Sequence, residues 1–139
     1  MNYLLDTNVI SELISQSPNA GVIEFLNATE EKNLFLSVIT LGEIKAGIEK
    51  LPDGNKKEKL KNWLEIDLLN RFNERIIDVD LGVMMRWGEI VSRSQSLGRP
   101  LPIMDSLIAA QCALNDLTLI TRNQKDFENL SLTLINPFK

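Results

Sequence analysis

The sequence predicts an α/β protein, a three-layer α/β/α sandwich around a short, mainly parallel sheet. Short apolar runs alternate with segments of helical periodicity along the whole chain. The runs are apolar at successive positions, so both faces of each strand look inward, as in a parallel sheet covered by helices. No repeat, low-complexity stretch or Gly/Ser-rich linker divides the 139 residues, which fit one domain over 1–139 with a full core.

The elements follow in order. Asn2–Leu5 reads as a buried strand running into a helix from about Thr7 to Ile14. Ser17-Pro18 is a helix start, Ser17 as cap and Pro18 at the first helical position, with Val22, Ile23 and Leu26 carrying that helix to about Ala28. Asn33–Val38 is a second strand. A helix from about Ile39 to Lys50 places Leu41, Ile44 and Ile48 at helical spacing, and "LPDGN" is a turn. Asn55–Phe72 is a long amphipathic helix with Leu60, Trp63, Leu64, Leu68 and Phe72 on one side. Arg75–Val79 is a third strand, Asp80 to about Leu97 a helix and Gly98–Pro102 a loop. Pro102 starts a helix running to about Leu114. A strand at Leu117–Thr121, a short helix at Gln124–Glu128 and a last strand at Leu132–Ile135 complete the chain.

Composition narrows the chemistry. There is no histidine and one cysteine, Cys112. A Ser-His-Asp triad, a Cys-His pair, a histidine-based ribonuclease and a His- or Cys-bound zinc are therefore excluded. What remains is carboxylate, hydroxyl, Lys and Arg chemistry, or a hard cation held by oxygen, such as Mg²⁺ or Mn²⁺. The net charge of −4 argues against a broad electrostatic grip on nucleic acid, which asks for a basic surface. No apolar stretch approaches the ~20 residues of a membrane span. Asp6 and Glu12 interrupt what would be the apolar part of a secretory signal, and the lone cysteine suits a reducing cytoplasm.

Ligands of open α/β sheets bind beyond the carboxyl ends of the strands, so the acids there are the ones to inspect. Asp6 closes the first strand. It reads as a helix cap or as a site acid; in the second case Thr7 or Asn8 is left to cap. Glu43 lies early in the helix after the second strand, with small Ala46 and Gly47 one turn on, which leaves open space beside its carboxylate. Asp105 sits in "PIMDSLIAAQCAL" beside an apolar stripe of Ile103, Met104, Leu107, Ile108 and Ala109. Desolvation there is costly unless the charge is paired or bound to a cation. Asn123 and Asp126 follow the fourth strand, with Arg122 and Lys125 between them. The four read as a solvated turn or as part of the same site. Carboxylates gathered in one cleft repel, and a divalent cation removes that cost.

These segments resemble a PIN domain, the nuclease fold of VapC-type toxins from bacterial toxin–antitoxin pairs. The likeness covers nearly the whole chain. It is carried by "LLDTNVISEL", "LSVITLGEIKAGI", "PIMDSLIAAQCALNDLTLITRNQKDF" and "LINPF". The Lys-rich helix around Lys56–Trp63 further resembles the FitB-like branch. The resemblance implies a Mg²⁺- or Mn²⁺-dependent endoribonuclease with Asp6, Glu43 and Asp105 as metal-binding and catalytic acids, and Asn8 as the polar residue after the first. Many relatives carry Asp directly after "TR", where this chain has Asn123, so the fourth position falls to Asn123 or to Asp126; Thr121 is a secondary candidate. Arg122 and Lys125 are candidate holders of substrate phosphate. The basic run Lys56, Lys57, Lys59 and Lys61 reads as a solvated face or an RNA contact. The resemblance also implies a homodimer, and a small antitoxin that binds operator DNA on the pair's behalf and inserts a basic side chain among the acids. Ile10, Leu13, Ile14 and Phe25 read either as its groove or as ordinary core.

Two rival readings start from the same residues. "LLDTN" is similar to the strand end of aspartyl phosphotransferases of the haloacid-dehalogenase type. Those carry a second Asp where Asn8 stands and a Lys before the later acids, which "LPIM" does not supply. Alternatively, the chain is a PIN-like subunit that acts mainly as a protein-binding partner in a DNA-binding autorepressor complex.

Overall fold

The computed structural model describes every residue from Met1 to Lys139. Five short strands, β1 (Tyr3–Leu5), β2 (Leu34–Ser37), β3 (Ile76–Ile77), β4 (Thr118–Ile120) and β5 (Leu134–Ile135), form one sheet in the order β3-β2-β1-β4-β5. Every neighbouring pair is parallel. Tyr3 stands opposite Leu34 on one side and Thr118 on the other, and Leu5 opposite Ile120. The strand order changes direction at β1, which puts a crevice beyond its carboxyl end.

Alternation along β1 shows why both faces must be covered. Leu4 and Leu5 are both fully buried but point into different cores. Leu5 packs with Val9, Ile10, Leu36, Ile44, Leu64 and Phe72 under helices α1 (Thr7–Ile10), α2 (Ala20–Ala28), α3 (Val38–Glu49) and α4 (Asn55–Asn62). Leu4 packs with Val83, Ile108, Ala109, Leu119 and Phe127 under α6 (Leu81–Ser96) and α7 (Ile103–Asn115). Each buried leucine contributes about 1.5–3 kcal/mol, so a strand of three residues is secured from both sides. The sandwich is the predicted one, with the sheet parallel throughout.

Several boundaries differ from expectation for local reasons. Asn19, not Ser17, caps α2: its Oδ1 accepts from the Gly21 and Val22 amides, and the helix begins at Ala20 beyond Pro18. The first helix tightens at Ser11 into a 3₁₀ turn that ends at Ile14. The long helix expected over Asn55–Phe72 is α-helical only to Asn62; Trp63–Leu68 winds as a π-helix before α5 (Leu69–Arg71). The apolar residues explain this. Leu60, Leu64, Leu68 and Phe72 recur at strict four-residue spacing, which drifts roughly 40° per step on an α-helix. The wider π turn winds more slowly and returns them to one core, where Leu64, Leu68 and Phe72 are all buried.

The basic run also divides. Lys57 Nζ donates to the Glu49 carbonyl at the end of α3, and Lys61 pairs with Glu49. These two lysines brace the α3–α4 junction.

Candidate active site

Asp6 is 4% exposed at the end of β1. Its Oδ1 accepts from the Thr7 amide at 2.8 Å, so Asp6 is itself the cap of α1, one of the two roles read for it, and neither Thr7 nor Asn8 is needed as cap. Its Oδ2 accepts from Thr121 Oγ1 at 2.8 Å and from Asn8 Nδ2 at 3.3 Å. Burial pushes the Asp6 carboxyl up from its ordinary value, the Thr121, Thr7 and Asn8 donors pull it back down, and the charge of Asp126 adds to the rise. Thr121 is fully buried at the end of β4, and its hydroxyl also accepts from the Asn123 amide at 3.0 Å. Asn8 Oδ1 accepts from the Arg122 amide, so one side chain ties together the exits of β1 and β4.

Glu43 enters from α3, whose start is fixed by Ser37 accepting from the Ile39 amide. Thr7 Oγ1 donates to Glu43 Oε1 at 2.7 Å and lies 3.1 Å from Thr40 Oγ1. A threonine hydroxyl has one proton to give. With Thr7 donating to Glu43, the buried Thr40 hydroxyl is the natural donor to Thr7. The sequence reading passed over Thr7 and Thr40 as supports of Glu43. Thr40 lies three residues before Glu43 on the same helical face, which is the signal that could have found it.

Asp105 occupies the first turn of α7. Ser106 steadies that turn, accepting from Trp87 Nε1 at 2.8 Å while donating to the Ile103 carbonyl. Ile103 and Met104 are exposed and Leu107 is half-buried, so the buried apolar stripe beside Asp105 is narrower than expected and comes down to Ile108 and Ala109. Desolvation, followed by the charges of Asp6, Asp126 and Glu43, pushes Asp105 up to about 6. All four acids therefore share one electrostatic neighbourhood, although they come from four separate elements. Asp126, on α8 (Gln124–Phe127), bears on both Asp6 and Asp105. Asn123 instead turns the chain after β4, where its backbone carbonyl accepts from the Asp126 amide.

No three of these carboxylates close together as a complete direct ligand set. The donor set is oxygen alone, which suits a hard cation that keeps several of its waters.

The other expected residues fall on either side. The Arg122 guanidinium lies over the Phe138 ring, 5.1 Å from its centroid. Arg122 and Lys125 line a wholly polar cleft with Asp126 and Asn136. Gly47 borders a separate groove of about 440 Å³ with Glu43, Ile14, Lys56 and Leu60, and a β-carbon there would meet nothing within 4 Å. Of the four apolar residues weighed as groove or core, Ile14 alone lines this groove; Ile10 is buried, and Leu13 and Phe25 pack on the core.

A PIN-domain family model matches residues 3–131. The chain belongs to the PIN-domain family. It is 37% identical over 98% of its length to the plasmid stability protein StbB of Pseudomonas syringae pv. tomato, covering 98% of that protein. It is 30% identical to the VapC ribonuclease Y4jK of Sinorhizobium fredii, over 98% of this chain and 97% of the relative. It is 34% identical to toxin FitB of Neisseria gonorrhoeae, over 97% of each chain. Among solved structures, a FitAB complex bound to an IR36 DNA fragment superposes with a TM-score of 0.93 at 32% identity, covering 99% of this chain and 96% of that one.

Proposed function

We propose that the protein is the toxin of a toxin–antitoxin pair, an endoribonuclease that hydrolyses RNA phosphodiesters with the help of Mg²⁺ or Mn²⁺. One observation carries the reading: at the carboxyl edge of the sheet the charges of Asp6, Asp126 and Glu43 all bear on Asp105, and that of Asp126 bears on Asp6 as well. The names of the relatives, a VapC ribonuclease and a toxin among them, support it.

Asp6, Asp105 and Glu43 would hold the cation, directly or through water. When bound, it would offset charge building on the phosphate and make a nearby water easier to deprotonate. The chain's own groups do the rest. Thr121, Thr7 and Asn8 aim Asp6 and offset part of the cost of burying its charge. The Thr40–Thr7 hydroxyl pair fixes Glu43. Asp126, exposed at the rim, or Glu43 accepts the proton of the attacking water. Arg122 and Lys125 hold phosphates on either side. In-line attack leaves a 5′-phosphate and a 3′-hydroxyl. Of the two fourth-position candidates, Asp126 is the better supported, because its charge reaches Asp6 and Asp105.

The partner is an antitoxin seated in the groove beside Glu43, where Ile14, Ile44 and Leu60 offer an apolar floor and Glu43 offers a counter-charge to a basic side chain. Operator DNA is met only through that antitoxin. The working protein is a homodimer in the cytoplasm; no helix is long and apolar enough to cross a membrane. Expression of the chain without antitoxin is expected to arrest growth and leave RNA cut at mappable sites, and Asp105→Asn should restore growth. Arrest that persists unchanged in Asp105→Asn would favour a protein-binding role over a nuclease.

A further inference from the structure

A second cleft, of about 220 Å³, borders α8 and the Gly98–Pro102 loop. The two clefts share Lys125 and Asp126, so they adjoin at α8. The polar cleft, about 390 Å³, has no apolar wall. The second cleft has Leu97, Pro100, Leu101, Pro102 and Leu130 in its walls, and two cations, Arg99 and Lys125, face two carboxylates, Asp126 and Glu128, across it. Arg99, Lys125 and Glu128 are exposed, and none of the nine ion pairs of the protein involves them. The walls are set in advance. The end of α6 closes on itself through the Gly98 amide donating to the Gln95 carbonyl and the Arg99 amide to the Ser94 carbonyl, with Gly98 in the left-handed region at φ 69°. Two prolines then stiffen the loop that faces α8.

This chemistry suits one unstacked base of a single strand. Apolar plates of Pro and Leu receive a flat ring, cations flank it for backbone phosphate, and a free carboxylate accepts hydrogen bonds from a base edge. We propose that the cleft between the Gly98–Pro102 loop and α8 binds the nucleobase next to the scissile phosphate of single-stranded RNA, with Arg99 and Lys125 on the flanking phosphate and Glu128 reading an amino-bearing edge. The proposal rests on the nuclease reading above and deepens it by naming where sequence preference arises. The strand crosses α8 at Asp126, with its backbone in the polar cleft and its base in the walled cleft. Adenine, cytosine and guanine carry an exocyclic amino group; uracil does not and is the disfavoured base.

Two readouts on the full-length chain test this. In the first, binding of fluorescent single-stranded RNA pentamers, and of a duplex of the same sequence, is measured by anisotropy with Asp105→Asn protein so that the RNA stays intact. Adding Arg99→Ala should weaken single-strand binding about tenfold and lower the slope of log affinity against log salt by about one. In the second, cut sites on total RNA are mapped for the wild-type chain and for Glu128→Gln. The wild type should avoid uracil at one position flanking the cut, and Glu128→Gln should lose that bias by about tenfold. Equal pentamer affinity with and without Arg99, or a cut-site profile unmoved by Glu128→Gln, overturns the proposal while leaving the nuclease reading intact. Absence of any RNA cleavage by the wild type sinks the nuclease reading instead, and the binding arm still decides the cleft. Preference for duplex over single strand counts against the proposal.

Discussion

Burial and three neighbouring carboxylates push Asp105 up to about 6. The sign of the consequence follows from linkage. The folded state holds a proton on Asp105 more tightly than the unfolded chain does, so this stabilisation is full below about pH 4 and is lost as pH rises through about 6. The side chain is half-exposed, and solvent screening cuts its share to about 1 kcal/mol. Metal-free protein should thus melt at a lower temperature at pH 7.5 than at pH 5, and Asp105→Asn should remove much of that difference; thermal melts in chelator at the two pH values check it. Thr40 supplies a second test. Thr40→Val keeps the shape but removes the hydroxyl behind Thr7 and Glu43. The expected outcome is a roughly tenfold fall in kcat with little change in KM, because a positioned proton acceptor contributes on the order of 10²–10⁴ and a loosened one only part of that. Unchanged kcat in Thr40→Val would remove Thr40 from the account.

At the scale of elements, the last residues of the chain act as a strap on α2. Asn19 Oδ1 accepts from the Lys139 amide as well as from the helix start, Asn19 Nδ2 donates to the Lys139 carbonyl, and Lys139 Nζ pairs with Glu24. Gly21 lets the strap approach: a β-carbon there would collide with the Pro137 carbonyl oxygen and crowd the Lys139 amide at 3.1 Å. Gly21→Ala is therefore expected to destabilise the protein by about 1–3 kcal/mol, read from a denaturant midpoint, although alanine is the better helix former. The order of strands and helices was legible in the sequence because short apolar runs alternate with segments of helical periodicity, although the capping roles of Ser37 and Asp80 emerge only in the fold. The cap of α2 was misread because Ser17-Pro18 is a common helix start, whereas Asn19 is chosen by its contact with Lys139, far away in sequence. The π segment was hidden for a related reason. Its four-residue apolar spacing looks helical in any short window, and the accumulated drift shows only against a core that must accept every residue.

At the scale of the molecule, a parallel sheet with β1 between β2 and β4 brings Asp6, Glu43, Asp105 and Asp126 to one edge. The acids were legible because each follows a strand or opens a helix at that edge. Their hydroxyl supports and the walled cleft beside α8 were not, since they depend on which elements become neighbours in the folded chain. The groove beside Glu43 gives a prediction at this scale. Gly47→Leu fills open space, so the melting temperature should hold while binding of the cognate antitoxin, followed by titration, weakens at least tenfold. The most direct measurement is the cleavage of a defined single-stranded RNA by purified, antitoxin-free protein, with Mg²⁺ or Mn²⁺ and with chelator, alongside Asp105→Asn. The expected result is 5′-phosphate products only with the divalent cation, and a rate at least about 100-fold lower in Asp105→Asn. The same products at the same rate in chelator, or from Asp105→Asn, would contradict it.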